Sequence, residues 1–263
     1  MPRVEESNDF SDEVQAEKIA DQFAKIQNEY QPLKTDDIDV PPFSEKDIPF
    51  FSAAQVWFAL TKLNQKKSTV PGDFPAKLSK YFASYLAEPL ADIINTSVRR
   101  GEYPKIYKFL QCTPVPKVYP TLKTSQLRNI SGLFHFDKIF EKLLAQLIIS
   151  DMEAHLDPSQ FGNQQQISIQ YYLVQMLHRI LGILDTKNRK ETNAVLVNLI
   201  DWDNAFPRQC PKLGIQLFLK NGVRPSLIPV LISFFQRKDN VSEVAWEMFS
   251  SKRLNGGGPH LAY

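Results

Sequence analysis

AVLVNLIDWDNAF, residues 194–206, is the stretch whose conformation decides what kind of fold the rest can build. Its first seven residues form a run that is apolar but for Asn198, rich in branched side chains and bounded by polar residues. That composition fits a strand buried on both faces better than one face of a helix. Such a strand delivers Asp201 at its C-terminal end, rigidly placed and still in reach of solvent, as a divalent metal site requires. Taken by itself, an aspartate at a strand end is more often a turn or cap residue.

Upstream of this run the pattern is helical. Residues 134–156 (FHFDKIFEKLLAQLIISDMEAHL) and 165–184 (QQISIQYYLVQMLHRILGIL) repeat apolar residues at helical spacing and predict two long amphipathic helices. Residues 78–100 read as mainly helical with Gly101 as the C-terminal stop, and the proline-interrupted 103–120 (YPKIYKFLQCTPVPKVYP) reads as short strands and loop. Ser52 is a suitable N-cap for a helix carrying Val56, Leu60 and Leu63 on one face, which ends before the basic turn KKSTVPGD at 66–73. Residues 11–30 give another helix, with Ser11 and Asp12 as candidate caps and Val14, Ile19, Phe23, Ile26 and Tyr30 on its apolar face. Between Gln31 and Pro49, aspartates and four prolines predict an extended linker.

With 263 residues, 43% of them hydrophobic, the chain can bury a substantial core. Two cysteines, Cys112 and Cys210, are too few for a disulfide framework, and none of the Cys or His residues has metal-ligand spacing. The beginning, MPRVEESNDFSDEV, is polar and acidic, and no run is long enough to span a membrane. An intracellular protein of nucleus or cytoplasm, without signal peptide or transmembrane segment, is the expectation. The net charge of +2 conceals an asymmetry: residues 1–50 hold 13 acidic and 5 basic side chains, and the remainder 26 basic and 16 acidic. A basic body of that kind is compatible with a polyanionic partner, although a merely solvated basic surface has the same composition.

The order of several segments narrows these possibilities. VPGDFPAKL (70–78), SVRRGEYPKIYKFLQCTPVPKV (97–118), LRNISGLFHFDKIFEKLL (127–144), SQFGNQ (159–164), VNLIDWDNAF (197–206), LFLKNGVRPSLIPVLISFFQR (217–237) and NGGGP (255–259) follow one another as in the reverse transcriptase domain of long interspersed elements. The chain resembles that non-LTR retrotransposon domain from about Phe51 to Pro259. The resemblance implies an α+β fold, a right-hand polymerase's fingers with an incomplete palm, in a mostly helical fragment. Residues 1–50 would be an acidic helical lead-in and linker, 51–190 a fingers-like helical region, and 191–263 the incomplete palm with the strand of the first catalytic aspartate.

The implied activity is RNA-directed DNA synthesis from deoxynucleotide triphosphates on an RNA template and DNA primer, with Mg2+. Asp201 matches the aspartate that coordinates magnesium in the family, and Phe206 the aromatic beneath the incoming sugar, where a flat ring leaves no room for a 2′-hydroxyl. Lys117 and Arg128 match the basic residues that meet the triphosphate, the guanidinium gripping oxygens as a fork and the ammonium acting as a point charge. Lys66 and Lys67 match the fingers segment next to the template backbone; for neighbouring Gly72 and Asp73, turn geometry is an equally good account.

Three departures qualify the match. Asn129 stands where the family has a proline, Pro207 follows Ala205 and Phe206 where many relatives have aspartate, and after Pro259 the family's glutamine is replaced by His260. No Tyr-x-Asp-Asp occurs in the 263 residues. Two-metal chemistry takes carboxylates from adjacent strands, so the expectation is a truncated domain, inactive as an isolated chain. The alternatives are a non-catalytic nucleic-acid-binding remnant and a helical interaction protein.

Overall fold

Ser52 begins a helix in the way its chemistry suggests. Its hydroxyl accepts from the Gln55 backbone N–H at 3.3 Å while the Gln55 amide oxygen accepts from the Ser52 N–H at 2.9 Å, a reciprocal cap that satisfies two otherwise orphaned donors. This helix, α2 (Ala53–Thr61), buries Val56 and Leu60 one turn apart. The computed structural model describes residues 12–27, 33–65, 72–108, 111–162, 167–185, 194–202, 205 and 208–236. Besides α2 these form α1 (Asp12–Gln27), α3 (Ala76–Tyr81), α4 (Ala83–Arg100), α5 (His135–Met152), α6 (Ile169–Leu184), α7 (Pro211–Lys220) and α8 (Ile228–Phe235). A two-stranded antiparallel sheet of β1 (Gln111–Pro116) and β2 (Leu127–Gly132) lies between α4 and α5. The fold is thus mostly helical with one small antiparallel sheet.

The centre of the core is α4. Ala87, Leu90, Ala91, Ile94 and Val98 recur three or four residues apart and form one buried stripe, which meets Val56 and Leu60 of α2, Phe140 and Leu144 of α5, and Val230 and Ile232 of α8. Leu33 and Ile38, within the proline-rich segment expected to be an extended linker, also enter this core, and the segment carries two short 3-10 turns at Thr35–Asp37 and Glu45–Asp47. Asn95 ties the same side together: its amide accepts from the Phe51 N–H at 2.8 Å and donates to the Phe51 carbonyl at 2.9 Å. Gly101 ends α4 in the left-handed conformation, φ 66°, which glycine adopts without a Cβ penalty. Its missing side chain also matters, because a Cβ there would lie 2.5 Å from the Cβ of Pro229 in α8.

The strand expected at 194–200 is not found. The described residues 194–202 form no ladder and lie mostly in solvent, with Leu196 and Leu199 each 85% exposed. A mainly apolar run becomes a buried strand only when neighbours supply backbone partners on its edges and side chains on its faces. Among the described residues the sole ladder joins β1 to β2, so nothing there pairs with this run. α6 shares the exposure: although amphipathic, it has no buried residue. Among the described residues no helix is long and apolar enough to cross a membrane.

Candidate functional site

The β1–β2 hairpin owes its shape to the two prolines that interrupt its first strand. Pro116 faces Leu127, Val115 faces Arg128 and Pro114 faces Asn129. The Lys117 N–H donates to the Gln126 carbonyl at 2.8 Å, so odd-numbered residues of β1 point their backbone groups at β2 and even-numbered ones point theirs away. Pro114 and Pro116 therefore sit where no N–H is needed by the ladder, and they close the outer edge to further pairing.

The same register decides what the hairpin displays. Lys117 lies opposite Gln126, and Arg128 is two residues further along β2, so the two basic side chains share one face as diagonal neighbours. Leu127 points to the other face, where it is buried against Ile19 and Phe23 of α1. Helix α1 thus covers the back of the hairpin and leaves Lys117 and Arg128 exposed on the front. The Lys117 ammonium reaches the Ser125 carbonyl at 3.5 Å and is otherwise turned to solvent. A fork and a point charge placed diagonally on one face of the ribbon suit a polyphosphate.

Of the remaining residues singled out from sequence, Asp201 is exposed in the extended segment 194–202, and it makes no hydrogen bond or ion pair with Lys117 or Arg128 among the described residues. Lys66, Lys67 and Phe206 lie outside the described residues. Among the described residues the carboxylate matched to magnesium is solvent-exposed Asp201, and a single carboxylate does not hold two ions side by side.

Three polar constellations went unread in the sequence. Asp73, in the turn where Gly72 takes φ 83°, reaches across to α5: one carboxylate oxygen accepts from the His135 backbone N–H at 2.9 Å and lies 2.5 Å from His135 Nδ1. It satisfies a donor at the start of α5, a tertiary tie rather than the turn role expected for it. Arg224 grips Asp151 with both arms, Nε at 2.8 Å and a terminal nitrogen at 2.5 Å, and holds the Asp151 carboxyl below its usual range. The third is buried. The Tyr103 hydroxyl donates to Asp137, 1% exposed, while the tyrosine ring stacks on Phe140 at 5.0 Å and meets Phe234 edge-on.

Burial pushes the Asp137 carboxyl up to about 6 against the lowering effect of the Tyr103 hydrogen bond. Glu141, one turn along α5, is pushed up to about 7 by burial and by Asp137. Burial likewise raises Tyr103, and it lifts Tyr107 to about 12. Shifted groups often mark reactive sites, but here Tyr103 and Asp137 are packed inside the helical core, with Tyr107 and Glu141 half-buried beside them, and the Tyr103–Asp137 bond joins the segment after α4 to α5. In sequence Asp137 and Glu141 are simply two charges at helical spacing, which a solvated face would also show.

No family model matches the chain, and no curated protein proves similar to it in sequence.

Proposed function

We propose that the chain is the fingers and first palm portion of an RNA-directed DNA polymerase of the non-LTR retrotransposon type, with Lys117 and Arg128 as its triphosphate grip. One observation carries the reading: the hairpin register sets both basic side chains on a single exposed face, backed by α1. On that face the Arg128 guanidinium would take two phosphate oxygens and the Lys117 ammonium would neutralise a third. Asp201 would be the first metal-binding carboxylate, Phe206 the ring under the sugar, and Lys66 and Lys67 contacts to the template backbone. Magnesium, when bound by a complete site, polarises the phosphate and activates the primer hydroxyl. The 263 residues offer one matching carboxylate for this, so the isolated chain holds template and nucleotide without joining them.

Primer extension on an RNA template, with deoxynucleotides and either magnesium or manganese, tests the reading. The expected result is retention of the primed template at low salt, weakened as salt rises, and no extension. Extension that disappears in Asp201→Ala would show that a second carboxylate completes the site. Failure to retain the template at low salt would remove the reading and favour a helical interaction protein.

A further inference from the structure

Residues 51–87 contain five lysines and a single acidic residue, Asp73. The Asp73 side chain is 3% exposed and is turned inward on His135, so the one carboxylate of this stretch does not reach the surface. What does reach it is aromatic. Helices α3 and α4 follow each other almost without interruption, Ala76, Ser79, Ala83 and Ala87 are buried, and the opposite side presents Lys77, Tyr81 and Tyr85 in an i, i+4, i+8 row.

Tyr81 and Tyr85 are each 79% exposed. Phe82 joins them, its ring edge-on to Tyr81 at 5.0 Å and 6.5 Å from Tyr85. Lys80 is exposed at the rim, and the next acid, Glu88, comes only after Tyr85. A ring platform with lysines at its N-terminal end and one acid, Glu88, a turn beyond Tyr85 at the other favours an anionic, flat-faced partner at its lysine end. Nucleic acid has both properties, but a duplex hides its base faces in its own stack, so only a single strand can offer them to tyrosine rings.

We propose that the α3–α4 face formed by Tyr81 and Tyr85, with Lys77 and Lys80, binds single-stranded nucleic acid, bases against the rings and phosphates against the ammonium groups. It rests on the reading of the chain as one that handles nucleic acid, and it uses none of the hairpin residues. The surface is set for sequence-tolerant binding, because every base has a π-face and no hydrogen-bond reader is required.

The experiment is fluorescence anisotropy of a short labelled oligouridylate with the full chain, alongside a duplex of equal length. Tyr81→Ala/Tyr85→Ala should weaken oligouridylate binding by about tenfold or more, Tyr81→Phe/Tyr85→Phe should keep it, and Lys77→Gln/Lys80→Gln should flatten its salt dependence. Both tyrosines are exposed, so the alanine variant should melt as the wild type does, which a thermal scan checks. Unchanged oligouridylate affinity in the alanine variant overturns the proposal, as it would if the true occupant of this face were a protein. Loss confined to Lys117→Gln/Arg128→Gln also overturns it while leaving the hairpin reading intact. Loss in the tyrosine variant of a chain whose hairpin holds no nucleotide supports the platform and removes the polymerase reading.

Discussion

Replacing Gly101 with alanine separates two costs that the structure places at one residue. The first is conformational: Gly101 has φ 66°, and holding an L-residue in that left-handed region costs about 1 kcal/mol. The second is steric. The new methyl would stand 2.5 Å from Pro229 Cβ, a rigid ring on α8, and no flexible side-chain end is there to give way. Relief requires α8 to move from α4, and forced overpacking of a core contact costs roughly 1–3 kcal/mol. The sum is about 3 kcal/mol, read as a fall in the urea midpoint at unchanged slope. Gly72→Ala is the control, since its φ of 83° carries the first cost while nothing lies within 4 Å of its Cβ. A loss of about 1 kcal/mol at Gly72 and about 3 at Gly101 supports the α4–α8 contact, whereas equal losses at the two sites would refute it.

Asn95→Ala should destabilise by about 2–4 kcal/mol in the same assay, because it leaves the Phe51 N–H and carbonyl without the two partners that satisfy them in the core. The carboxyls of Asp137 and Glu141 are pushed up to about 6 and about 7, so the stability these two groups contribute is fully present below about pH 4 and is lost as pH rises through 7. Between pH 5 and 8 the loss should be about 2 kcal/mol after discounting the partly exposed Glu141, and Asp137→Asn/Glu141→Gln should remove most of it. Along α6, where no residue is buried, the exposed apolar face should drive self-association of the wild type in light scattering, and Leu177→Glu/Leu181→Glu should suppress it while leaving the melting temperature unchanged.

What the sequence disclosed follows the range of the interactions involved. The Ser52 cap, the Gly101 stop and the helical faces of α2, α4 and α5 rest on residues three or four apart, and each stands where the pattern places it. The hairpin was legible only as short strands and loop, although its alternating Pro114 and Pro116 already encode which edge stays unpaired. The pairings of Asp73 with His135, Tyr103 with Asp137 and Asp151 with Arg224 span 62, 34 and 73 residues, and local periodicity carries no sign of them. Residues 194–200 show the limit from the other side. Their composition states a preference for burial on two faces, but a strand is a relation to neighbours, and composition does not supply the neighbours. The candidate site divides in the same way: Lys117 and Arg128 come together through local register, while Asp201 is exposed and makes no hydrogen bond or ion pair with either among the described residues.

The most direct measurement of the central claim is equilibrium binding of a fluorescent deoxynucleoside triphosphate to the full chain, with the corresponding nucleoside as competitor. If the hairpin face grips phosphate, the triphosphate binds, the nucleoside competes poorly, and Lys117→Gln/Arg128→Gln weakens binding by about tenfold or more, as expected when two charge-assisted contacts are removed. Equal affinity of wild type and variant, or competition by the nucleoside as strong as by unlabelled triphosphate, would contradict it.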